Sequence, residues 1–273
     1  MRFEEFAINH GLILKNLVTD RWVATPTTDH PRKTNGRYKF LGSIGWVQNW
    51  STMDRPAQWI EEGKNASSPA IIKRIADSES DRKIRAEQAS KKAGWILKQS
   101  EKKTHPYLAS KGFTDQLGHV WNDQLVIPMR IDTKLAGCQL IDNKGVKKFL
   151  KGQATKGATL TIDAKGFPIF CEGYATGLSI REVLKASNIK YVIHICFSAS
   201  NMQFIARKFP YGLIVADNDN SHVGEVTARK TGKPYWISSA IGEDFNDFHK
   251  RVGTFQASQA LKKKLIEIGS LVI

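Results

Sequence analysis

From Phe167 onward the chain alternates short apolar runs with stretches of helical spacing, and this alternation constrains the fold more than any other feature. The apolar runs are FPIFC, YVIHICF, GLIVA and YWI. Between them lie ATGLSIREVLKAS, with Leu178, Val183 and Leu184 on one face, then SNMQFIARKF and VGEVTARKTG. DFNDFHKRV and the Ala-Leu-Lys-Lys segment near residue 260 read as further helices. Strands apolar on both faces need cover on both, and strands that alternate with helices run parallel. The pattern predicts an α/β fold with a parallel sheet between layers of helices.

Two of these strands end in acids. FCEGYATG places Glu172 at the end of the first, and GLIVADND places Asp217 at the end of the third, with Asp219 two residues on. Ligands of open parallel sheets sit beyond the carboxyl ends of the strands, and right-handed crossovers bring those ends to one edge. Three carboxylates gathered there repel one another unless a cation lies among them. Oxygen donors select Mg²⁺ or Mn²⁺, ions that clamp phosphate oxygens and activate a hydroxyl or water for phosphoryl transfer. A plainer role is open to each acid alone, since an acid after a strand often caps the next helix, as Asp219 would cap VGEVTARK. Two such stretches on one sheet favour the metal site. Asp244 and Asp247, in GEDFNDF, either extend the acidic rim or cap and solvate a helix.

Charge points to the partner. The 273 residues carry 41 Lys+Arg against 26 Asp+Glu, a net charge of +15, which favours a polyanion such as nucleic acid. Arg130, Lys147, Lys148, Lys151 and Lys156 crowd the segment just before the acids, where they would hold template or nucleotide phosphates. Cys138, Cys171 and Cys196 are far apart and form no CxxC, which predicts buried free thiols in a reducing compartment. No apolar run approaches the roughly 20 residues that span a bilayer, and MRFEEFAINHG lacks a signal-peptide core, so a cytoplasmic protein without membrane contact is expected.

Four segments are expected. Residues 1–65 read as a small β-rich module, with a helix over about Phe3 to Asn9, a hairpin at Asn35-Gly36 and a Pro-started helix near Pro56 to Glu62. Arg32, Lys33, Arg37 and Lys39, around Tyr38, Trp46 and Trp50 read as exposed, would grip single strands by charge and stacking. Residues 66–104 read as a helical linker with hinges at SSPA and at Lys102 to Thr104. Residues 105–165 form a basic α+β subdomain whose QLVIPMRID, LAGCQLID and GVKKFLKG are strands of a meander. Residues 166–273 carry the parallel sheet and C-terminal helices.

The acids and their setting resemble a known family. CEGYATGLSI, then IVADND, then GEDFNDF look like the Toprim domain of phage and plasmid primases. QLVIPMRIDTKLAGCQLID followed by KKFLKG is similar to the strands that precede Toprim in bacterial replicative primases. The resemblance spans about residues 105 to 250. It implies a DNA primase that uses Mg²⁺ or Mn²⁺ to condense ribonucleoside triphosphates into short RNA primers on single-stranded DNA. It also implies Glu172, Asp217 and Asp219 as the catalytic metal-binding acids and a replicative helicase as partner in trans. GxxxxGK[ST] is absent, so no fused helicase motor is expected. Primases of this family often begin with a zinc module, but no Cys precedes Cys138 and His10 and His30 are too few, so zinc is not expected. A Toprim nuclease and a non-catalytic single-strand-binding adaptor are the alternatives.

Overall fold

A computed structural model describes residues 1–53, 55–65, 68–163, 165–186, 189–218 and 223–270. The described residues form a mixed α/β structure of seven helices and three sheets. None of those helices is long and apolar enough to cross a membrane. The chain divides into two compact units, Met1–Ile84 and Arg85–Ile273.

The first unit opens with helix α1 (Phe3–Asn9), whose Phe3 and Ala7 are buried. Four antiparallel strands follow in the order β1 (Trp22–Thr25), β2 (Gly36–Phe40), β3 (Ile44–Asn49) and β4 (Ala57–Ile60). Their inner face presents Tyr38, Val47 and Trp59 to α1. The Phe3 ring stacks on Phe40 at 4.7 Å and meets Trp59 edge-on at 5.6 Å. Burying a side chain of this size contributes about 1.5–3 kcal/mol.

Three expectations for this unit are corrected. Pro56 to Glu62 does not start a helix: Ala57–Ile60 pairs with β3, which sets Trp59 opposite Gly45 and into the core. The Trp59 indole N–H donates to the Met1 carbonyl at 3.0 Å, an anchor 58 residues away that no local pattern shows. Asn35-Gly36 is not a hairpin turn. Gly36 begins β2 between Thr25 and Asn49, and a Cβ there would press on the Thr27 methyl at 2.7 Å. Tyr38 is not exposed but 1% accessible, its hydroxyl donating to the Asn16 carbonyl at 2.9 Å and accepting from the Val18 N–H at 3.0 Å.

Helix α2 (Pro69–Gln99) contains the boundary between the units. Ile71 and Ile75 near its start pack on Leu41 and Ile44, while Ala89, Ala93 and Ile96 near its end pack on Val126, Cys138 and Leu140. The expected hinge at SSPA falls partly outside the described residues. The hinge expected at Lys102 to Thr104 is corrected: strand β5 (Glu101–Lys103) pairs with β6.

In the second unit, β5 is followed by the short helix α3 (Pro106–Ser110), then β6 (Gly118–Trp121), β7 (Gln124–Ile131), β8 (Lys134–Ile141) and β9 (Lys147–Phe149). These five strands form an antiparallel sheet in sequence order. A third sheet contains β10 (Leu160–Ile162), β11 (Phe167–Cys171), β12 (Tyr191–Ile195), β13 (Leu213–Ala216) and β14 (Tyr235–Ile237). Its order is β10-β12-β11-β13-β14, and only β10 runs antiparallel. The sheet is therefore mixed, a change from the all-parallel expectation.

Between these strands lie α4 (Tyr174–Ala186), α5 (Ala199–Ala206) and α6 (Val223–Lys230), with α7 (Phe245–Glu267) after the last. Ile169, Ile193 and Val215 face the layer that holds Leu178, Val183 and Leu261. Phe170, Ile214 and Ala216 face the α5–α6 layer of Met202, Ile205 and Ala228. This two-sided cover is why the strands read as unbroken apolar runs.

Asn201 clasps the loop between β9 and β10. Asn201 accepts from the Gly157 N–H at 2.7 Å and donates to the Ala158 and Cys196 carbonyls, both at 2.8 Å. Removing that buried amide leaves several backbone groups unmatched, at about 1–3 kcal/mol for each unsatisfied group. Asn201→Ala should therefore destabilise the protein by about 3 kcal/mol, measured by urea unfolding. A change below about 0.5 kcal/mol would contradict this clasp.

Candidate active site

The two described strand-end acids follow neighbouring strands. β11 and β13 are hydrogen-bonded neighbours, with Cys171 opposite Val215, so Glu172 and Asp217 follow adjacent strand ends. Among the parallel strands the order β12-β11-β13-β14 reverses direction between β11 and β13. That is the switch point at which open α/β sheets leave a crevice. Asp219 lies outside the described residues.

Backbone packing fixes this corner. Gly224, in the first turn of α6, rests on the Asp217 backbone, where a Cβ would overlap the carbonyl. Phe197, at φ 66, donates its N–H to the Glu172 carbonyl at 2.9 Å. The adjacent Cys196 N–H donates to the Cys171 carbonyl at 2.8 Å. Asn218 accepts an N–H bond from Gly242 at 2.5 Å, and its side-chain amide donates to the Ser238 and Ala240 carbonyls. These bonds tie the β13 end to the turn that leads into α7.

Electrostatics report the same convergence. Burial pushes the Cys171 thiol far up, and the neighbouring Cys196, Asp217, Glu172 and Asp244 push it further. Carboxylates from three chain segments thus act on one sulfur. Cys196 is likewise raised by burial and by Glu172.

The α7 acids combine both of their expected roles. Asp244 caps the helix by accepting the Asp247 N–H at 2.8 Å, while its charge still reaches Cys171. Asp247 pairs with Lys111 at 3.4 Å. Tyr107 is raised to about 12, by burial first and then by Asp244, Tyr174 and Asp247. Sequence reading missed Lys111 and Tyr107, because α3 is too short for a periodic signal and meets α7 only in space. It also missed Glu243, a buried carboxylate bonded to Ser238 and paired with Arg251 at 2.6 Å, which lowers its pKa. Among the described residues no group of three His, Cys, Asp or Glu side chains is placed to hold a metal ion.

The basic residues do not form one cluster. Lys147 and Lys148 are exposed on β9, and the next residue, Phe149, meets the Phe197 ring edge-on at 6.5 Å. Through Phe197 this strand adjoins Glu172. Lys151 is exposed in the turn that follows. Lys156 instead lies over the Phe204 ring of α5, at 4.8 Å. Arg130 ends β7 beside β10 and donates to the Thr133 carbonyl at 3.0 Å.

Compared with protein-family models, curated proteins and solved structures, the chain matches none.

In the first unit, the outer sheet face carries Trp22, Lys39 and Trp46 in one cross-strand row, with Arg37 and Gln48 in the next. The Arg37 guanidinium lies over Trp22 at 4.4 Å and near Trp50 at 5.8 Å, and Gln48 accepts from it at 2.8 Å. Trp22 and Trp50 are 40% and 48% exposed, whereas Trp46 packs against the Ile44–Ile71 cluster. Arg32 and Lys33 are exposed in the loop before β2. Trp22 escaped the sequence reading because it lies 15 residues before Arg37 and joins it only by strand pairing.

The cysteines provide a test of the rim's burial. All three are buried thiols, with Cys138 raised to about 11. An unfolded thiol ionises near about 8.5, so these groups favour the folded state below that pH, and their contribution falls as pH rises through and above it. At about pH 8, where an exposed cysteine reacts readily, maleimide should label none of them in folded protein and all of them in guanidinium. Rapid labelling of Cys171 in the folded protein would contradict the buried rim.

Proposed function

We propose that this chain is a DNA primase, a metal-dependent nucleotidyltransferase that copies single-stranded DNA into short RNA primers. The observation that carries the reading is the placement of Glu172 and Asp217 at adjacent parallel strand ends at the switch point, with strand β9 reaching that corner through Phe149 on Phe197. On this reading the mixed sheet and its helices are a Toprim-like domain, and the antiparallel sheet is the basic subdomain that precedes it.

Glu172 and Asp217, with Asp219, would hold Mg²⁺ or Mn²⁺. Two hard oxygen donors on neighbouring strands suit such an ion. When bound, the cation neutralises triphosphate charge and acidifies the attacking 3′-hydroxyl. Lys147, Lys148 and Lys151 hold phosphates of template or incoming nucleotide beside Glu172. Asp244 and Asp247 extend the negative field, and Lys111 balances Asp247. The Trp22, Arg37 and Trp50 face, with Arg32 and Lys33, takes single-stranded template by stacking and charge. A replicative helicase acting in trans supplies that template.

Incubation with single-stranded DNA, labelled ribonucleotides and Mn²⁺ should yield short products. Glu172→Gln and Asp217→Asn should each cut the yield by roughly a thousandfold while leaving DNA binding intact. Template degradation without a new strand would make the chain a nuclease, and equal behaviour of variants and wild type would make it an adaptor. Separately, Trp22→Ala or Trp50→Ala should weaken binding to a fluorescent single-stranded oligonucleotide by roughly tenfold. An unchanged affinity would remove this face from the template path.

A further inference from the structure

Arg130, separated from the β9 lysines, lines a different recess. A pocket of about 530 Å³ opens along the antiparallel β10 edge of the mixed sheet, against the segment that ends α5. Arg130 lines one wall and Lys208 another, with Thr159 and Thr161 between them. Ile205 and Phe209, which pack on the Phe170 face of the sheet, give the recess its apolar lining, and Leu160 borders it at the β10 edge. None of Glu172, Asp217, Asp244 or Asp247 lines it. The acidic rim lies at the carboxyl ends of β11 and β13, whereas β12 separates this edge from β11.

Two cations, Arg130 and Lys208, and one carboxylate, Asp132, line the recess. Lys208 and Lys156 approach the same Phe204 ring at 4.9 and 4.8 Å. Neither lysine, nor Arg130, is in an ion pair among the described residues. Arg130 is held at the mouth by its bond to the Thr133 carbonyl, and its remaining N–H groups can reach an anion.

The mouth is formed by a tight turn: Asp132 and Thr133, which line it, are the two residues that join β7 to β8, with φ of 49 and 131, as two-residue hairpin turns require positive φ. The inner wall is polar without being charged. His194 has its imidazolium form disfavoured by burial, and its Nδ1 lies 3.4 Å from the Thr161 hydroxyl.

We infer that this pocket binds a single nucleoside phosphate, at a site separate from the acidic rim. Arg130 and Lys208 take the phosphates, and the apolar lining of Ile205 and Phe209 takes the base. Its volume falls within the range of small-ligand sites, about 300–1,000 Å³. Inorganic phosphate would leave the apolar lining uncovered. The inference does not rest on the primase reading, because it needs neither the rim acids nor a metal.

The test uses the full chain in EDTA and ADP bearing a methylanthraniloyl fluorophore, followed by anisotropy. Saturable binding is expected, displaced by unlabelled ADP and not by equal inorganic phosphate. Lys208→Ala should weaken it by about tenfold, the size of one charge-assisted phosphate contact. Lys208 is exposed, so its truncation spares the fold, and an unchanged urea midpoint would verify that. Arg130→Gln should act in the same direction. No binding in EDTA, an affinity indifferent to Lys208, or displacement by phosphate alone would each overturn the inference.

Discussion

The side-by-side pairing of β11 and β13 is the constraint on which the rest depends. Two strands that are neighbours in space but separated by a strand and two helices in sequence each lead straight into a carboxylate. Their register, with Cys171 opposite Val215, puts Glu172 level with Ala216 and Asp217 one residue beyond, at the same end of the sheet. Like charges so placed oppose the fold unless something positive offsets them. The protein accepts that arrangement at a corner it also holds tightly, through Gly224 on the Asp217 backbone and Phe197 on Glu172. A corner this constrained is suited to holding two acids in a fixed geometry, which is what phosphoryl-transfer chemistry requires of its metal ligands.

Much of that corner was legible in the sequence. The runs FPIFC, YVIHICF and GLIVA announce strands covered on both faces, and the acids come directly after two of them. What stayed hidden depends on contacts distant in sequence. β10 is three residues long, too short for periodicity to show, so the antiparallel edge was invisible. Residues 57–60 become a strand because Trp59 reaches Phe3 and the Met1 carbonyl, although Pro56 suggested a helix start. Gly36 serves close strand packing, although Asn-Gly suggested a turn.

The basic residues carry the same lesson for function. Spacing placed Arg130 through Lys156 in one cluster. Strand pairing separates them, with Lys147 and Lys148 on β9, whose Phe149 meets Phe197, and Arg130 and Lys156 toward β10 and α5. A single stretch of chain thereby supplies cations to two recesses. The aromatic face of the first unit shows the converse. Trp22 and Arg37 are remote in sequence and meet at 4.4 Å because β1 pairs with β2.

The central claim is that the strand-end acids bind a divalent cation. Electron paramagnetic resonance of Mn²⁺ titrated into the protein tests it without any assay of activity. The account predicts saturable binding that disappears in the Glu172→Gln, Asp217→Asn double variant while the folded state survives. Free Mn²⁺ signal at every ratio, or binding that the double variant retains, would contradict it.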